Sequence, residues 1–150
     1  MAENKDVAVL NTLIATLFDS IEGYEKSAGD IRDPEIAQMF TSRAEERRGA
    51  VGALQQAVRA AGGDPEDEGS VTGAAHRMFL DLKQAVTGSD DQAIVNEVER
   101  GEDYLKGKFE TAINNTELTA SARSAVQTAW ESVRAGHDEM SRLKHAMQTR

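Results

Sequence analysis

Residues Phe109 to Met147 read FETAINNTELTASARSAVQTAWESVRAGHDEMSRLKHAM. After the turn signals Asn114-Asn115 and Thr119, the residues Val126, Trp130, Val133, Met140, Lys144 and Met147 recur at helical spacing and predict a long C-terminal helix with one apolar stripe. His137 falls on that stripe, between Val133 and Met140. An imidazole placed in a core needs a polar partner. Three further helical segments carry polar residues near mid-length: Glu22 and Glu25 in the first, Glu45 with Arg47 and Arg48 in the second, Glu99 and Glu102 in the third. Four helices bringing such groups to one interior make either a metal site or a buried ion-pair network. The expected fold is all-α, a four-helix bundle.

Composition bounds the function. A chain of 150 residues can bury a core without staples and reads as one domain, residues 1–150. The net charge of −9 repels phosphate backbones, and no Lys/Arg run offsets it. Nucleic acid and anionic membrane surfaces are therefore excluded as partners, whereas cations are favoured guests. The sequence leaves open both a homo-oligomer and a protein partner. With no cysteine there are no disulfides, thiolate metal sites or thiol catalysis, which suits a reducing compartment. The start, MAENKDVAVLNTLIATLF, mixes acids into a helical pattern and lacks the basic and apolar regions of a signal peptide. The expected location is the cytoplasm.

Taken in order, helix 1 spans Lys5 to Asp30, with Val7, Leu10, Ile14, Leu17, Ile21, Tyr24 and Ala28 on its stripe and Leu13 and Phe18 widening it. Glu25 falls on the inward side and Glu22 borders it. Asp33-Pro34 supplies an N-cap and a proline at the first helical position, where its missing N–H costs nothing. Helix 2 then carries Ile36, Phe40, Ala44, Val51, Leu54 and Val58 inward and stops at Gly62-Gly63, and between Ala44 and Val51 its inward slots fall on Arg47 and Arg48. The acidic stretch GGDPEDEGS is a surface loop, and Val71 to Thr87 forms a shorter amphipathic helix bearing Met78, Phe79 and Leu82. Ser89-Asp90-Asp91-Gln92 opens helix 3, whose inner positions are Val95, Val98, Glu102, Leu105, Phe109 and Ala112. A connection this long between helices 2 and 3 implies that they run parallel.

That arrangement resembles the ferritin-like bundles. The segment GGDPEDEGSVTGAAHRMFLDLK, residues 62–83, with NEVERGED at 96–103, is similar to an uncharacterised bacterial branch of that superfamily, a domain of unknown function. The resemblance covers nearly the whole chain and implies the fold; it implies no activity. Ferritin-like metal centres use one Glu from each of two helices and Glu-x-x-His from each of the other two. Here Glu22 or Glu25 and Glu99 or Glu102 match the single acids, but the paired motifs read Glu45-x-x-Arg48 and Arg134-x-x-His137. Each keeps half of its ligand pair and puts arginine in the other half.

A guanidinium satisfies carboxylates in place of a metal and cannot give up its charge. The favoured reading is a non-catalytic intracellular bundle protein, stress-related by analogy with the superfamily, whose degenerate carboxylate, Arg and His cluster (Arg47, Arg48 and Arg134 as cations) specifies packing. The alternative is an iron- or manganese-binding protein, with or without oxidase activity, using Glu22, Glu25, Glu45, Glu99, Glu102 and His137. His76 and Arg77 read as a packing pair or a docking site, Met140, His145 and Met147 as core and surface rather than a copper site, and Asp64, Glu66, Asp67 and Glu68 as a solvated loop without a calcium-binding pattern. No nucleophile triad, phosphate loop or dinucleotide fingerprint is present.

Overall fold

A computed structural model of the chain describes residues 2–67 and 91–148. Four α-helices make up the described structure: α1 (Ala2–Asp30), α2 (Pro34–Ala60), α3 (Asp91–Ile113) and α4 (Ala120–Gln148). The amphipathic helix expected over Val71 to Thr87, with His76 and Arg77, lies outside the described residues.

The ends of the helices follow local chemistry. Asp33 caps α2, its Oδ1 accepting from the amides of Glu35 (2.9 Å) and Ile36 (3.4 Å), with Pro34 directly behind. At the other end Gly62 takes a positive φ of 86°, so that its amide reaches the Arg59 carbonyl and the Gly63 amide the Val58 carbonyl, both at 3.0 Å. Gly63 must also lack a side chain, because a Cβ there would stand 2.7 Å from Val7 of α1.

Two acids fasten one hairpin to the other and set the topology. Asp91, opening α3, accepts from the amides of Arg32 (2.9 Å) and Asp33 (3.0 Å) in the α1–α2 turn. At the opposite end buried Asp6 accepts from the amide (3.1 Å) and hydroxyl (2.6 Å) of Thr119, the residue before α4. Starting together at the Asp33/Asp91 end, α2 and α3 run parallel. Their connection must return along a bundle about 40 Å long, at ~1.5 Å per residue. Its first residues lie across α1 and α2: Asn11 donates to the Asp64 carbonyl and accepts from the Glu66 amide, and Gln55 donates to the Glu66 carbonyl.

Helix α1 packs on α2 and α3, and α4 on α3 and α2, which leaves α2 and α3 on a diagonal without backbone approach. One core runs through all four helices. The expected inward residues of α2 and α3 are all buried, and α1 is buried at Leu10, Leu13, Ile14, Leu17, Ile21 and Tyr24. The exception is α4, whose buried line is Ala122, Val126, Ala129, Val133, Gly136 and Met140. His137 is therefore displaced from the core to the flank, and Gly136 takes the central position. A glycine carries no side chain for an apolar pattern to register, so the sequence pattern places the stripe one residue too far along. Among the described residues no helix is long and apolar enough to cross a membrane.

Candidate functional site

Near the middle of the bundle Arg47 is 0% exposed and Glu102 2% exposed. Helical spacing places both among apolar neighbours, Arg47 between Ala44 and Val51 and Glu102 between Val98 and Leu105. The guanidinium engages the carboxylate with both arms: Nη2 donates to Oε2 at 2.7 Å and Nη1 to Oε1. Nη1 also donates to Ser20 Oγ of α1 at 2.7 Å, and Nη2 lies 3.5 Å from the Val133 carbonyl of α4. One arginine thus reaches all three other helices and spans the α2–α3 diagonal. Burial alone would lower its pKa, but Glu102 more than reverses that and holds the guanidinium firmly charged.

The surroundings are shaped to this pair. The Tyr24 ring lies 5.5 Å from the guanidinium carbon and packs edge-on against Phe40. Burial, reinforced by the negative Glu102, pushes the Tyr24 hydroxyl well above its ordinary pKa of about 10. Opposite, a Cβ at Gly136 would stand 2.3 Å from Arg47 Nη2 and 3.1 Å from Glu102 Oε2. Gly136 is the space into which the ion pair fits. One turn earlier on α2, Arg43 donates to Glu139 of α4 (2.8 Å) and to Glu46 (2.6 Å).

The remaining candidates divide between surface and flank. Glu22, Glu25 and Glu45 are exposed, so the expected inward placement of Glu25 is corrected. Arg48 is exposed and pairs with Glu25 at 2.5 Å; Arg134 is exposed and pairs with Glu131 at 2.8 Å. Neither arginine of the two degenerate motifs lines the interior. Adjacent residues on a helix point 100° apart, and of this adjacent pair on α2 Arg47 turns inward and Arg48 outward.

Glu99 and His137 do meet, on the α3–α4 flank rather than in the core, joined by a residue that sequence reasoning missed, Asp103. One ligand atom from each of Glu99, Asp103 and His137 lies within 4.8 Å of the others. His137 Nε2 is 2.6 Å from Asp103 Oδ1, and Glu99 Oε1 is 3.4 Å from Lys144 Nζ. Asp103 lies on the exposed side of α3, where acids are unremarkable; only its spacing of four from Glu99 could have signalled the pair. Ser20 and Gly136 were missed for the same lack of signal.

Compared with known families, residues 5–115 match a domain of unknown function, DUF2383. The matched stretch takes in most of α1 with all of α2 and α3, and stops before α4. No curated protein matches the chain.

Proposed function

The chain belongs to the DUF2383 family, and from that premise we propose that it is a non-catalytic bundle protein of the ferritin-like kind, in which an arginine–glutamate pair takes the central place of a metal centre. The observation that carries this reading is the fully buried Arg47, held on both arms by Glu102. The parallel course of α2 and α3, joined by a long return, supports the ferritin-like assignment. A fixed cation at the centre opposes a dication there and supplies the charge that buried carboxylates require. The role that follows is structural: a pair spanning the diagonal sets the spacing and register of two helices whose backbones do not approach each other. A chain without cysteine suits a reducing setting such as the cytoplasm.

The test is oxygen consumption after ferrous iron is added to the purified protein. The expected rate equals that of buffer with iron alone. Oxygen-dependent iron oxidation by the wild type, abolished by Glu102→Gln, would overturn the reading and make the iron and manganese alternative the primary one.

A further inference from the structure

We propose that Glu99, Asp103 and His137 form a mononuclear site for a divalent first-row transition metal on the α3–α4 flank, separate from the buried ion pair. Glu99 and Asp103 are one helical turn apart on α3 and project to the same side, and His137 faces them from α4. The donor set is one imidazole nitrogen and two carboxylate oxygens, a borderline set that suits zinc, ferrous iron or cobalt better than magnesium or calcium. Asp103 is exposed, so water can complete the coordination and a metal can enter from solvent.

The spacing needs only small adjustment. Metal bonds of ~2.0–2.2 Å hold neighbouring donors roughly 3–3.5 Å apart. The 2.6 Å contact between His137 Nε2 and Asp103 would open slightly, and the donor atoms, already within 4.8 Å of one another, would draw together by about an ångström. The second ring nitrogen supplies an independent indication. His137 Nδ1 is buried without a hydrogen-bond partner, and Asp138 Oδ1 stands 3.6 Å from it. A metal on Nε2 leaves the ring proton on Nδ1, where a slight turn of the imidazole delivers it to Asp138, the carboxylate–histidine–metal arrangement that orients ligating histidines.

Charge points the same way. Glu99, Asp103 and Asp138 set three carboxylates against the ammonium of Lys144, and a dication balances the excess. Lys144 sits at a loose 3.4 Å from Glu99 on a flexible stem, so it can swing away when the metal arrives. It acts as a competitor for the site.

The probes are Co²⁺, followed by its visible absorption, and Zn²⁺, followed by calorimetry, both in excess Mg²⁺ to mask the acidic surface. One metal per chain is expected. His137→Ala and Asp103→Asn should each abolish saturable binding with the helical circular dichroism unchanged, since both side chains lie on the flank. Asp138→Asn should weaken binding ~10-fold or more through the imidazole, and Lys144→Gln should tighten it. An absent cobalt spectrum, zinc binding that survives His137→Ala, or binding weakened by Lys144→Gln would each overturn the proposal. Metal lost on Glu102→Gln but retained in His137→Ala would instead place it in the interior, overturning this site and the inert-centre reading together, whereas iron oxidation abolished by Glu102→Gln but not by His137→Ala bears only on the latter.

Discussion

Removing one half of the buried pair should cost far more than removing both. In Glu102→Gln, Arg47 keeps its charge, because a guanidinium does not deprotonate. It loses one of its two carboxylate bonds outright, keeps a weaker one to the uncharged amide oxygen, and faces an amide NH₂ across a contact now 2.7 Å long. Beyond that oxygen there remain Ser20 Oγ at 2.7 Å and the distant Val133 carbonyl at 3.5 Å. A buried charge stripped of its partner costs about 3–5 kcal/mol. Arg47→Met should cost less, about 1–3 kcal/mol, because the stranded Glu102 can take up a proton and become a neutral, if poorly bonded, acid. The double variant Arg47→Met/Glu102→Leu leaves no buried charge behind, only the small hydroxyl of Ser20 without its donor, and should fall within about 1 kcal/mol of wild type, or exceed it. Urea unfolding at neutral pH, followed by helical circular dichroism and Trp130 fluorescence, measures all four proteins. With a slope of ~1.5–3 kcal/mol/M, the Glu102→Gln midpoint should drop by ~1–3 M. A drop under ~0.3 M, or a double variant as unstable as the two singles summed, would refute the claim that Arg47 and Glu102 form one energetic unit.

Glycines on the same scaffold should respond with opposite signs. Gly136→Ala drives a Cβ to 2.3 Å from Arg47 Nη2 and should destabilise by about 1–3 kcal/mol, whereas Gly49→Ala, open on the surface of α2, should stabilise by about 0.5–1 kcal/mol; equal effects in urea unfolding would show that the ion pair yields freely. Tyr24, with its hydroxyl raised above the ordinary value, keeps its proton while the unfolded chain loses it, so this contribution to stability is complete below about pH 10 and is lost as pH rises beyond it. Its tyrosinate absorbance should appear only together with unfolding and vanish in Tyr24→Phe; ionisation of Tyr24 in the folded chain would contradict its burial. Asp91→Ala removes the acceptor shared by the Arg32 and Asp33 amides and should cost about 1–3 kcal/mol, with faster hydrogen exchange at those two amides. Unchanged exchange there would mean that the contact between the two hairpins contributes nothing.

The four described helices, their caps and most of their buried residues follow from the sequence alone, because apolar recurrence at 3.6 residues, Asp33-Pro34 and Gly62-Gly63 act over a few residues and need no knowledge of the partner helix. The long segment between Gly62 and Asp90 likewise implied a parallel α2 and α3, an arrangement that the Asp91 and Asp6 contacts make concrete. Tertiary structure decided which residue of each adjacent pair turns inward, Arg47 rather than Arg48 and Gly136 rather than His137, whereas the inward place of Glu102 was legible in the spacing of α3. Neighbouring positions lie 100° apart, yet a stripe that steps by three or four can drift past either one, so periodicity cannot choose between them. The choice falls to what stands opposite. The buried Arg47 guanidinium lies where a Cβ on α4 would clash with it, and that requirement seats Gly136 in the core and turns His137 out toward Asp103.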